Sequence, residues 1–67
     1  MKKIFAKRLR EIRIENKESQ RELAEQLNVH KSAVSFWENG VFFPKVEELI
    51  KIADYYEVTL DKLVGRD

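Results

Sequence analysis

Residues 19–39, SQRELAEQLNVHKSAVSFWEN, decide the fold. They read as two short amphipathic helices joined by a tight turn. Ser19 is a helix N-cap, and Glu22 three residues later completes a capping box, in which hydroxyl and carboxylate satisfy free backbone N–H groups reciprocally. Leu23, Ala24 and Leu27 recur at helical spacing and form one apolar stripe. Asn28 follows at once, and asparagine is the commonest residue after glycine to accept a left-handed backbone. Val29 re-enters the core, and a second helix from about residue 31 buries Val34 and Trp37, which lie three apart. Ala24 is the telling position, because helices that cross steeply after a short connection need a small side chain where their axes approach.

Counted from Gln20, a small residue stands fifth (Ala24), a turn-former ninth (Asn28), and apolar residues fifteenth and eighteenth (Val34, Trp37). That is the pattern of a helix-turn-helix. Around it stand FAKRLREIR (5–13), SQRELAEQL (19–27), VHKSAVSFWENG (29–40), and Pro44 followed by LIKIADYYEVTLDKL (49–63). On these pieces the chain resembles the phage repressor and Cro-type family, also called the xenobiotic-response-element type, from about residue 5 to 63. The resemblance implies an all-α, five-helix lambda-repressor-like DNA-binding domain, with its helix-turn-helix at helices 2 and 3.

The flanking sequence fits that plan. Phe5, Leu9 and Ile12 lie at i, i+4 and i+7 of a first helix over about residues 3–16 and face inward, with Ile4 beside them. After Asn39-Gly40, where glycine allows the positive φ of a helix stop, comes Val41-Phe42-Phe43-Pro44. Helix 4 begins just after Pro44, with Leu49, Ile52, Ala53 and Tyr56 as its inner stripe and Val46 and Ile50 flanking. Thr59 caps a last short helix whose apolar side is Leu60, Leu63 and Val64. The whole, residues 1–67, is one small domain.

Function is decided on helix 3. With Val34 and Trp37 inward, a rotation of about 100° per residue turns Ser32, Ser35, Phe36 and Asn39 outward, and Lys31 projects from the first turn. Short hydrogen-bonding side chains allow close approach to base edges, where a long acidic face would repel phosphates. The family positions that read bases match Lys31, Ser32, Ser35 and Phe36: a lysine suits guanine O6 or N7, serine several bases, and phenylalanine a thymine methyl. Phe36 is equally suited to a partner contact. Family phosphate positions match Gln20 and Asn39, and Arg21, His30 and Lys45 are further phosphate candidates. The resemblance also pairs Arg13 with Glu38, tying helix 1 to the recognition helix. In place of the family's usual Lys- or Arg-bearing loop this chain has Val41-Phe42-Phe43, a departure that leaves Lys45 as the nearest loop cation.

Composition excludes several classes. With no cysteine and a lone His30, neither disulfides nor a metal site can be built, and no cofactor is expected. No apolar run approaches the roughly 18 residues of a membrane span, and Lys2-Lys3 is followed by no secretory apolar segment, so the expected location is cytoplasmic. Net charge is only +1, but residues 1–31 carry nine Lys and Arg against five Glu, and residues 32–67 carry four against seven acids. Ser19 is a cap and Ser32 and Ser35 lack a positioned base, so no enzyme is expected, nor a small-molecule pocket. The expected function is a sequence-specific DNA-binding transcriptional regulator, most simply a repressor. Because one recognition helix reads few base pairs, a homodimer on a palindromic operator of double-stranded DNA is expected. Phe42, Phe43, Tyr55, Leu60 and Val64 are its candidate interface. The competing reading is a protein-interaction module that uses Phe36, Phe42 and Phe43 of the same fold.

Overall fold

The computed structural model describes residues 1–66, and among these every regular element is helical: α1 (Lys2–Glu15), α2 (Gln20–Leu27), α3 (Lys31–Glu38), α4 (Val46–Tyr56) and α5 (Leu60–Val64). Their apolar faces explain the packing. Phe5, Leu9 and Ile12 of α1 meet Leu23, Ala24 and Leu27 of α2, Val34 and Trp37 of α3, Ile52 and Ala53 of α4, and Leu63 of α5 in one core. Helix α1 packs on α3 and α5, α2 packs on α3, and α4 closes over α2 and α5.

The helix ends follow from local chemistry. Ser19 Oγ accepts from the Glu22 amide at 3.0 Å and the Ser19 amide donates to Glu22 Oε1 at 2.8 Å, a complete capping box. Thr59 Oγ1 accepts from the Lys62 amide at 3.0 Å. At the other ends one device recurs. The amides of Glu18, Val29, Val41, Val58 and Arg66 donate back to Arg13, Ala24, Phe36, Ala53 and Asp61, each across a residue with positive φ. Those residues are Lys17, Asn28, Gly40, Glu57 and Gly65, so all five helices close in the Schellman manner. Asn28 was legible as such a residue, whereas Lys17 and Glu57 carry no composition signal for it.

Several apolar residues lie elsewhere than their spacing suggested. Phe43, one of the interface candidates, is half-buried and meets Phe5 edge-on, with ring centroids 5.3 Å apart, next to the buried Pro44. Ile4 remains 47% exposed, and Ala6 takes the buried place beside Phe5 instead. Val46, Ile50 and Leu60 are exposed. The first helix ends at Glu15, one residue earlier than expected, because the Asn16 side chain donates to the Ile12 carbonyl at 2.8 Å and covers the helix end.

Ala24 is buried at the α2–α3 crossing. Ala24→Leu is expected to lower stability by about 1–3 kcal/mol through overpacking. Thermal melting followed by circular dichroism measures the loss, and an unchanged midpoint would show that the crossing has room to spare.

Candidate nucleic-acid interface

The candidate recognition face is the outward side of α3, and an ion pair holds this helix from behind. Arg13 Nε donates to Glu38 Oε2 at 2.6 Å and Nη2 donates to Oε1 at 2.9 Å, the two-point geometry that makes arginine–carboxylate pairs strong. The side chains are 12% and 4% exposed. Arg13 Nη1 also donates to the Glu18 carbonyl at 2.7 Å, so one guanidinium holds α1, the α1–α2 connection and the end of α3. The Glu38 hydrogen bond is the largest cause holding the Arg13 guanidinium above its ordinary range, and partial burial opposes it. Gln20 adds a third donor to the carboxylate, Nε2 to Oε1 at 3.1 Å. One of the two amide hydrogens of this phosphate candidate is therefore spent inside the protein.

A second network anchors α4 to the same connection. The hydroxyl of Tyr56 donates to Glu18 Oε1 at 2.6 Å, and the hydroxyl of Tyr55 donates to Glu18 Oε2. Burial first, then this carboxylate, pushes the Tyr56 phenol far above its ordinary value; Tyr55 is raised chiefly by the Glu18 hydrogen bond. Tyr55 was a candidate for a subunit interface, and its hydroxyl already has an internal partner. Nothing in the sequence pattern pointed to Glu18, since its two partners lie 37 and 38 residues away.

The outward side of α3 carries Lys31, Ser32 and Phe36, all exposed, with Ser35 half-buried and Asn39 exposed at its end. His30 is the N-cap of α3: its Nδ1 accepts from the Ser32 amide at 3.1 Å and lies 2.8 Å from Ser32 Oγ. Asn39 Nδ2 donates to Ser35 Oγ at 3.3 Å. Phe36 is 41% exposed and Phe42 58%, and their rings meet edge-on with centroids 5.3 Å apart. The departure in the loop sequence thus sets an exposed apolar pair beside the outward side of α3. Arg21 is exposed in the first turn of α2, and Lys45 is exposed at the N-cap of α4, where its amide donates to Glu48 Oε1 at 2.9 Å. A shallow cleft of about 490 Å³ between α1 and the end of α3 is lined by the cations Lys3, Lys7 and Arg10, the carboxylates Glu11 and Glu38, the apolar Ala6 and Ile14, and Asn39 and Gly40. These three α1 cations therefore lie beside the end of α3, with Glu11 among them. Among the described residues no cluster of His, Cys, Asp and Glu could hold a metal ion, and no helix is long and apolar enough to cross a membrane.

Residues 9–63 match the family model described as Helix-turn-helix. The chain belongs to this family. It is 38% identical over 61 residues to the HTH-type transcriptional activator BcrR of Enterococcus faecalis, covering 91% of this chain and 30% of that one. It is 36% identical over 63 residues to the HTH-type transcriptional regulator ImmR of Bacillus subtilis (strain 168), covering 94% and 50%. It is 33% identical over 62 residues to the Cryptic phage CTXphi transcriptional repressor RstR of Vibrio cholerae, covering 92% and 56%. The chain therefore spans about a third to somewhat over half of the length of these relatives. The repressor and Cro-type helix-turn-helix resemblance read from the sequence agrees with these matches.

Two measurements check the supporting networks. Glu38→Ala strands Arg13 and is expected to cost about 3–5 kcal/mol, whereas the double change Arg13→Met with Glu38→Leu should cost far less, because no buried charge is left unpaired. Denaturant unfolding of wild type and both variants decides it. For the tyrosines, a phenol raised in the folded state favours folding fully below its unfolded value, about 10, and that contribution is lost as pH rises further. Stability is thus expected to fall above about pH 10, less steeply in Tyr56→Phe, with phenolate absorbance appearing together with unfolding.

Proposed function

We propose that this chain is the DNA-reading domain of a transcriptional regulator, most simply a repressor, that lays α3 in the major groove of double-stranded DNA. The observation that carries this reading is the charge on α3. Its one carboxylate, Glu38, is 4% exposed and engaged by Arg13 and Gln20. The exposed side chains Lys31, Ser32 and Phe36 bring no negative charge toward a phosphate backbone. Lys31 then faces guanine, Ser32 and Ser35 face base edges, and Phe36 packs on a thymine methyl. Arg21, Asn39, Lys45, His30 and the second amide hydrogen of Gln20 take phosphates, and Lys3, Lys7 and Arg10 extend the basic side. Both an activator and repressors are among the similar proteins, and the short helix reads too few base pairs alone. A homodimer on two half-sites supplies the missing contacts. Phe42, Tyr55, Leu60 and Val64 remain its candidate contacts, and Phe43 supports them from the core.

The exposed Phe36–Phe42 pair favours one second reading, a surface for a protein partner. The test is a titration of duplexes, chosen by selection from random sequence, at two salt concentrations. Salt-sensitive, sequence-selective binding is expected. Lys31→Ala should change base preference by about 1–3 kcal/mol at one position, and Arg21→Ala should weaken all duplexes alike and reduce the salt slope by about 1. Absence of selective duplex binding, with a protein captured through Phe36 and Phe42, would establish the second reading instead.

A further inference from the structure

The cap of the recognition helix fixes the direction of one hydroxyl. A backbone N–H can only donate, so the bond from the Ser32 amide to His30 Nδ1, 3.1 Å, requires a lone pair on that nitrogen. That is the arrangement of the Nε2–H tautomer, in which Nδ1 carries no hydrogen. The same Nδ1 lies 2.8 Å from Ser32 Oγ. A nitrogen without a hydrogen cannot donate, so the hydrogen between them belongs to the serine. The hydroxyl of Ser32 is spent backward on the imidazole, and the side it turns outward holds only lone pairs. Ser35 is held the other way, since its oxygen accepts from Asn39 Nδ2 and its own hydrogen is uncommitted by that bond.

Major-groove edges divide along the same line. Adenine N6 and cytosine N4 donate, whereas guanine O6 and thymine O4 accept. A freely rotating serine hydroxyl serves both, and so discriminates poorly between them. We propose that His30 is a positioning residue that holds the Ser32 hydroxyl as an acceptor toward DNA, so that Ser32 selects an amino-bearing base, adenine or cytosine, on the strand it faces. This rests on the DNA-reading function proposed above, and sharpens it from the position read to the base class read. It also separates two roles for one ring: Nδ1 orients the serine, while the Nε2–H is turned to solvent as a donor that suits a phosphate.

Two measurements test it. Long-range proton–nitrogen NMR on the free protein is expected to show the Nε2–H form of His30; the Nδ1–H form would overturn the proposal without reference to DNA. Site selection with wild type, Ser32→Ala and His30→Thr supplies the second. Threonine is itself a preferred N-cap, so α3 keeps its start while Ser32 is released, and matching melting curves check this. The base pair whose preference collapses in Ser32→Ala marks the position that Ser32 reads. There wild type is expected to favour adenine or cytosine over guanine or thymine by about 3- to 10-fold, the worth of one neutral hydrogen bond. His30→Thr should bring this ratio close to one while the ratios at other positions hold. The ratio is the readout, because a phosphate bond removed together with the imidazole weakens all duplexes equally. Guanine or thymine in wild type, or an unchanged ratio in His30→Thr, would overturn the assignment while leaving DNA reading intact. If none of the three proteins binds duplex selectively, the DNA-reading function itself fails, and this inference with it.

Discussion

The bidentate bond between Arg13 and Glu38 is the constraint on which the rest of the structure depends. It lies where α1 meets the C-terminal end of α3, and its exposure is low enough that neither partner can be solvated alone. Two consequences follow together. The angle of α3 against α1 is fixed, because the guanidinium also holds the Glu18 carbonyl and so has no freedom to follow a tilting helix. The only negative charge of α3 is removed from the surface that faces outward. Orientation and electrostatic fitness for a polyanion thus come from one contact, and a change designed to alter one would alter the other.

That contact works because the helices around it have defined ends. Ser19 and Thr59 start their helices with side-chain bonds, and His30 does so with a ring nitrogen. Left-handed residues stop all five helices, returning the next amide to the preceding turn. With both ends fixed, a three-residue connection brings α2 and α3 into contact, and the small Ala24 is buried between the helices' core residues. The fold therefore has little slack between the residues that approach a ligand and those that form the core.

Most of this architecture was legible in the chain. Capping chemistry and stripe spacing are local, and residues 19–39 contain both, so the helix-turn-helix and its inward residues can be read directly. The outward residues Lys31, Ser32 and Phe36 follow from the same rotation. What could not be read was set by contacts between distant segments. Which of Phe42 and Phe43 would seat in the core was not legible, because nothing local says that Phe5 lies against Phe43. Glu18 looked like a loop charge, yet it holds two tyrosines of α4. The left-handed turns at Lys17 and Glu57 run against the preference of their side chains, so no residue type announced them. His30 was read as a phosphate candidate, and its capping of α3 with the direction this gives Ser32 needs coordinates, since both depend on which atom of the ring faces the helix.

The segment from Val41 to Lys45 has a different character from the other joints. It is the longest connection among the described helices, and Phe43 and Pro44 moor its far half while Phe42 stands free beside Phe36. A chain of this kind can exchange residues at the free half without disturbing helix angles. Sequence drift there would reshape the exposed rim beside α3 in small steps while the interior stays interchangeable.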